Sequence, residues 1–340
     1  MVSLSRLLES LLQSKSRGVA LAFATGCTFF LAGVALSQTS PKATNHIDFV
    51  IQSPDQERAV RWNEGRLRNA KPLPIPVAKT TPGAPKPVPP SGPRSAGPGE
   101  SGPAHNVGAA DKMTGDPNSY PLRWAGKFFF SKPGEGDYIC SAQFIAPRIV
   151  LTAAHCVRDD NTGQWYRDFE FDLQYERGKT TQKLTPKCFA TWSGWVHGSS
   201  DDDDRFWHFD YAMLLTGEDS KTGNFGWQYN YDPAQYPKAY KVGYPADILD
   251  GEVIQVDGGP LTAPETRPGL VRLEHGNPNN TGGSSGGAWV GNYSTSLTQD
   301  SNRVISVTSH HVNDETTVSF GPEFDQNFKG LMDFVQRGCK

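Results

Sequence analysis

Hydrophobic and polar positions divide the 340-residue chain into three textures. Residues 18–35 form an apolar stretch without charge, preceded by Arg6, Lys15 and Arg17. Ala35-Leu36-Ser37 then offers a small-x-small cleavage site. Residues 1–37 therefore read as a signal peptide, or as an uncleaved signal anchor, because about 20 apolar residues can span a bilayer. Residues 38–118 are polar and rich in proline, and no period of helix or strand runs through them. From Arg123 onward, short β-rich runs recur between Gly, Pro and Asn clusters: 124–130, 138–145, 149–153, 211–215, 238–242, 252–256, 270–273, 287–290 and 304–312. Many short strands with such turns predict an antiparallel barrel or sandwich. Only the end reads as a helix, with Phe324, Phe328, Leu331, Met332 and Val335 on one face. The fold class expected for 119–340 is all-β, a double antiparallel β-barrel with a C-terminal helix.

Composition sharpens the middle segment. Eleven prolines fall between Lys71 and Ala104. Proline at that density removes backbone donors and favours extended polyproline II, so 38–118 is expected to be a disordered propeptide or linker. A helix is expected within it over 55–67, where Glu57, Arg58 and Arg61 alternate with Val60 and Trp62. The formal net charge of -3 excludes a strongly basic nucleic-acid binder. Of the five cysteines, Cys27 lies in the apolar leader and is read as packing. The remaining four leave room for two bridges, as suits a secreted or periplasmic chain. Membrane attachment is expected only if the leader stays uncleaved.

Three motifs carry candidate chemistry. Leu151-Thr152-Ala153-Ala154-His155-Cys156 ends a strand in small residues and delivers a histidine. Phe209-Asp210-Tyr211-Ala212-Met213-Leu214-Leu215 sets an aspartate at the mouth of an apolar strand, either as a turn residue or as a carboxylate that holds an imidazole. Gly282-Gly283-Ser284-Ser285-Gly286-Gly287-Ala288 surrounds two serines with glycines that let the backbone approach a ligand closely. The His310-His311 pair finds no third ligand at metal-site spacing, and neither a metal nor a cofactor is expected.

Taken together, in the order His, Asp, Ser, these motifs resemble the trypsin/chymotrypsin-like serine endopeptidases. TAAHC at 152–156, DYAMLL at 210–215, GSSGGA at 283–288 and Gly243-Tyr244-Pro245 are similar to the bacterial glutamyl-endopeptidase-like branch. The resemblance covers about residues 119–340 and implies a chymotrypsin-like double barrel. It implies a triad of His155, Asp210 and Ser285, with the backbone N–H groups of Gly283 and Ser285 as the oxyanion hole. It implies a bridge between Cys140 and Cys156. Even arithmetic then pairs Cys188 with Cys339 and ties the last helix to the barrel. Expected partners are protein or peptide substrates, and the chain is expected to be a monomer.

Specificity is less legible. The resemblance puts Asn279 at the base of the first specificity pocket, so a preference for Lys or Arg is not supported. Thr308 stands where glutamyl endopeptidases carry a pocket histidine, and Ser309 matches a serine that bonds the triad aspartate. Strand periodicity puts Thr308 and His310 on one face, which makes His310 a pocket candidate, and His275 is another. Glu or Asp before the scissile bond is thus one reading of an open question. Ser284 stands where trypsin-type zymogens carry the Asp that pairs with a new N-terminus, so activation is expected through processing between Lys71 and Asn118. A second function class is a catalytically silent protease-fold binding module at the cell envelope.

Overall fold

A computed structural model describes residues 45–53, 62–78, 111–197, 204–276, 282–296, 298, 300–313 and 315–340. The expected leader, 1–37 with Cys27, lies outside the described residues, as do 54–61, 79–110 and Asn279. No helix among the described residues is long and apolar enough to cross a membrane.

Short strands precede residue 119: β1 (Ile47–Ile51), β2 (Lys71–Pro72), β3 (Val77–Ala78) and β4 (Asp111–Thr114). The first sheet is built from β5 (Ala125–Lys132), β6 (Gly136–Ala146), β7 (Ile149–Thr152), β8 (Arg167–Leu173), β9 (Gln182–Leu184), β10 (Pro186–Trp192) and β11 (Ala212–Thr216). These pair antiparallel in the order β10-β11-β7-β6-β5-β8-β9. The second comprises β12 (Gly226–Trp227), β13 (Lys238–Gly243), β14 (Gln255–Thr262), β15 (Leu270–Glu274), β16 (Ala288–Gly291), β17 (Arg303–Val307), β18 (His311–Val312) and β19 (Val318–Pro322). Its order is β12-β17-β16-β13-β14-β15-β19, while β18 pairs with β3. Helices are α1 (Glu64–Asn69) and α2 (Gln326–Gln336). The result is the expected all-β chymotrypsin-like double barrel with a C-terminal helix.

Alternation explains how the barrels fill. In β5, Phe128 and Phe130 point into the first barrel with Phe144, Phe169 and Phe171, whereas Phe129 points the other way. There it joins Val242, Tyr244 and Val256 of the second barrel and Leu331 of α2. Burying each such ring contributes about 1.5–3 kcal/mol. Strand β8 was outside the expected runs although Arg-Asp-Phe-Glu-Phe-Asp-Leu alternates strictly, and its Phe169, Phe171 and Leu173 are buried. The run expected over 304–312 splits into β17 and β18, with 308–310 outside both.

The folded unit takes in more of the chain than 119–340. Strand β1 pairs antiparallel with β10, from Ile47 opposite Trp192 to Ile51 opposite Cys188. Strand β4 pairs with the first half of β14, where β15 does not reach. Helix α1 lies at Glu64–Asn69, later than the 55–67 expected, because the Asn63 side chain caps its start by accepting from Arg66 N. Arg66 then grips Asp137 with two hydrogen bonds of 2.9 and 2.8 Å. The physical reason is that sheet edges carry unpaired backbone groups, and these segments satisfy them.

Helix α2 is tied at both ends. Asp325 caps its first turn by accepting from Asn327 N at 2.8 Å and Phe328 N at 3.3 Å. Cys339, just past its end, is bridged to Cys188 of β10 across 151 residues. His208 reaches α2 from the turn before Asp210: Nε2 meets Asp325 Oδ2 at 3.0 Å, and Nδ1 meets the Gly269 carbonyl at 2.9 Å. Burial opposes charge on His208, but Asp325 and Gly269 outweigh it and raise its pKa. Burial likewise raises Asp325, yet His208 and the helix N–H groups bring it below the ordinary value.

Cys188→Ala/Cys339→Ala should cost about 2–4 kcal/mol by releasing a long loop in the unfolded chain, lowering Tm by roughly 6–12 °C in calorimetry. The His208–Asp325 pair should stabilise the fold only in a window. Its contribution falls away below the lowered pKa of Asp325 and again as pH rises through the raised pKa of His208. The Tm gap between the wild type and His208→Gln should therefore be larger at about pH 5.5 than at about pH 9.

Candidate active site

Register brings the first two motifs together. Strand β7 pairs antiparallel with β11, Thr152 opposite Ala212 and Leu151 opposite Met213. The chain leaving β7 therefore runs beside the chain entering β11. His155 sits in a 3-10 turn, Ala154–Cys156, directly after β7, and Asp210 stands just before β11. The bridge between Cys140 of β6 and Cys156 pins that turn to its neighbouring strand.

Asp210 is completely buried. His155 Nδ1 lies 2.8 Å from Oδ2 and 3.1 Å from Oδ1. The main-chain N–H of His155 donates to Oδ1 at 2.9 Å, and Ser309 Oγ–H donates to Oδ2 at 2.5 Å. A buried carboxylate without such donors would be strongly unfavourable. With Asp210 accepting at Nδ1, the imidazole presents Nε2 as its free acceptor.

The Ser285 loop is bolted to both barrels. Ser141 N donates to Ser285 O at 2.8 Å, Ser141 Oγ to Gly283 O at 2.9 Å, and Gln143 Nε2 to Gly286 O at 3.1 Å, all from β6. From the second barrel, the Thr308 carbonyl accepts from Gly286 N at 2.8 Å. Gly286 has φ +76°, and a Cβ there would lie 2.1 Å from Thr152 Oγ1. At Gly283, φ is +83° and a Cβ would lie 2.6 Å from the Tyr244 carbonyl. Only glycine fits either place. Ser285 is buried, and neither Ser285 Oγ nor His155 Nε2 has a hydrogen-bond partner among the described residues.

The candidate specificity residues are not gathered into one pocket. Thr308 accepts at Oγ1 from the Trp289 indole N–H at 3.0 Å, beneath the Ser285 loop. His310 does not share a strand face with it, because 308–310 leave the strand. The His310 ring stacks on Trp207 at 4.1 Å and faces Phe320 at 5.5 Å. Its Nδ1 is 2.9 Å from Ser309 Oγ. Ser309 spends its proton on Asp210, so His310 Nδ1–H is the donor in that contact. Burial, aided by Arg267, lowers the His310 pKa well below the ordinary value.

His275 lies inside the second barrel. Nδ1 is 3.2 Å from Asp257 Oδ2, and Nε2 is 2.9 Å from Ser319 Oγ, which accepts from Lys241 Nζ at 3.1 Å. Burial and the Lys241 charge lower the His275 pKa to about 4. Burial also lowers Lys241 to about 8. This chain of groups was missed from sequence: the four residues lie far apart along the chain and meet only through strand pairing. Cys140, His155 and Cys156 cluster within metal-ligand reach, but both sulfurs are in a disulfide and offer no thiolate.

Comparison with known proteins agrees with this fold. The trypsin family model matches residues 113–203. No curated protein matches the chain. The protease Anisep from Arthrobacter nicotinovorans superposes with a TM-score of 0.53 at 24% identity, covering 65% of this chain and 96% of that one. The thermostable serine protease AL20 from an extremophilic microorganism gives 0.53 at 24%, covering 63% and 96%. A Glu endopeptidase gives 0.53 at 16%, covering 68% and 99%. The trypsin match over 113–203 and these neighbours agree with a trypsin/chymotrypsin-like double-barrel fold for this chain.

Proposed function

We propose that this chain is an exported serine endopeptidase with Ser285 as nucleophile, His155 as general base and Asp210 as the group that orients it. One observation carries the reading. The buried Asp210 carboxylate accepts from His155 at both Nδ1 and the main chain, which leaves Nε2 directed away as a base.

The chemistry follows from those roles. A serine hydroxyl is a weak nucleophile until a base takes its proton. Nε2 of His155 removes the proton as Ser285 Oγ attacks the substrate carbonyl. The carbonyl oxygen gains negative charge, and the N–H groups of Gly283 and Ser285 are the donors proposed to receive it; one such donor is worth about 2.7–4 kcal/mol. The imidazolium then passes its proton to the departing amine. Water attacks the acyl-enzyme by the same route and restores Ser285.

Substrates are proteins or peptides. A preference for Glu or Asp before the scissile bond gains no support from His275 or His310. Both imidazoles are buried where charge is disfavoured and are engaged elsewhere, so neither is placed to offer a positive charge to a carboxylate. Export is supported by the two disulfides, which belong to an oxidising compartment.

Fluorophosphonate labelling of the protein, with the groove accessible, should mark Ser285 and vanish in Ser285→Ala; a folded chain that never labels would favour the silent binding module. Asp210→Asn should lower kcat on the order of 10⁴-fold, and Ser309→Ala on the order of tenfold, in steady-state kinetics. Cleavage of a peptide library should show no enrichment of Glu or Asp before the cut, and such enrichment would reassign the pocket.

A further inference from the structure

We propose that residues 71–78, Lys-Pro-Leu-Pro-Ile-Pro-Val-Ala, are an inhibitory strap filling the substrate groove over Ser285 and His155, and that this groove takes extended peptides with proline at alternate positions. What the groove is for rests on the protease reading above; that the strap fills it rests on contacts alone.

The strap crosses from one barrel to the other. At its start, β2 runs parallel to β6, with Lys71 opposite Tyr138 and Pro72 opposite Ile139, and Leu73 N donates to the Ile139 carbonyl at 3.1 Å. At its end, β3 runs parallel to β18, with Val77 opposite His311. There His311 N donates to Pro76 O at 2.9 Å, and Asn313 N to Ala78 O at 3.1 Å. Between them, Gly283 N, one of the two proposed oxyanion donors, points to the Leu73 carbonyl at 3.3 Å.

From Pro72 to Ile75, side chains alternate as an extended segment requires. Leu73 and Ile75 are buried, while Pro72 and Pro74 face outward. Leu73 packs in the cluster that holds Cys140 and Cys156, on one side of His155. Ala78 packs with Ala154, Trp195 and Trp207, on the other. The prolines at 72, 74 and 76 have no N–H, so the segment is held mainly through its carbonyls. Ser285 is completely buried and His155 is 6% exposed. A substrate needs the same space and the same Gly283 N–H.

The strap is also built to stay nearby. Arg66 on Asp137 and β1 on β10 anchor the chain on its N-terminal side. A cut after Ala78 would thus leave the strap tethered at high effective concentration. A cleft of about 340 Å³ also lies beside it, lined by Pro74, Ile75, Val77, Gly282, His311 and Thr316. Opening therefore means displacing 71–78 from the groove, and processing that removed β1 and Arg66 would strip the first barrel of an edge strand and an ion pair.

The test uses the full chain and two variants. Leu73→Pro removes the N–H that bonds Ile139 while keeping an apolar side chain. Pro74→Gly/Pro76→Gly loosens the strap without touching the barrel cores. Thermal unfolding checks that each is folded, and the glycine variant stands alone if Leu73→Pro is not. Two readouts are taken: the rate of fluorophosphonate labelling, and binding of a fluorescent synthetic peptide of sequence 71–78. Labelling at least about tenfold faster in a variant than in wild type, with the peptide bound by the variant and excluded from wild type, is the expected result. Equal labelling rates would overturn the strap. If no chain labels, the protease reading fails, and the peptide decides the occupancy: binding to the variant alone upholds it, and equal or absent binding overturns it.

Discussion

A buried negative charge governs this molecule. The Asp210 carboxylate has no exposure to water, and such a charge is tolerable only where several donors converge on it. They come from different parts of the fold. His155 supplies its backbone N–H and its ring from the end of β7, and Ser309 supplies a hydroxyl from the chain leaving β17 in the second barrel. Asp210 is thus satisfied only when the two barrels have closed on each other. The same requirement fixes the imidazole's orientation, so the stability of the barrel junction and the geometry of His155 are one problem.

The Ser285 loop obeys a related constraint. Its carbonyls and N–H groups are taken by Ser141, Gln143 and Thr308, leaving no room for side chains at 283 and 286. Glycine therefore appears where backbone meets backbone, and the serine is held by its own main chain. Beyond Ser309, the His310 ring donates inward and is clamped between Trp207 and Phe320. The Asp210 site is in this way wedged by aromatic packing on its outer side.

Unpaired backbone groups also explain why the described segments before residue 119 do not stand apart. The edges of β10 and β14 accept β1 and β4, and the groove edges at Ile139 and His311 accept 71–78. One physical tendency, the pairing of exposed sheet edges, supplies both structural strands and an occupant for the cleft.

Local chemistry was legible in the sequence because it is carried by neighbouring residues. The motifs around His155, Asp210 and Ser285 pointed to the residues that the fold sets around one junction, and the short β-rich runs pointed to two barrels. The apolar face of α2 predicted what that helix buries. Non-local pairing was not legible. A run such as 304–312 reads as one strand, yet the turn at 308–310 follows from bonds to Gly287 and Phe320 on other elements. His275 was a pocket candidate, and His310 was another because strand periodicity set it on one face with Thr308. Their surroundings, Asp257 with Ser319 for one and Trp207 with Phe320 for the other, are set by strand register across the second barrel. The proline-rich composition of 71–78 implied an extended conformation. That this extended segment lies along the cleft was decided only in three dimensions, where its carbonyls meet N–H groups that the barrels had left unpaired.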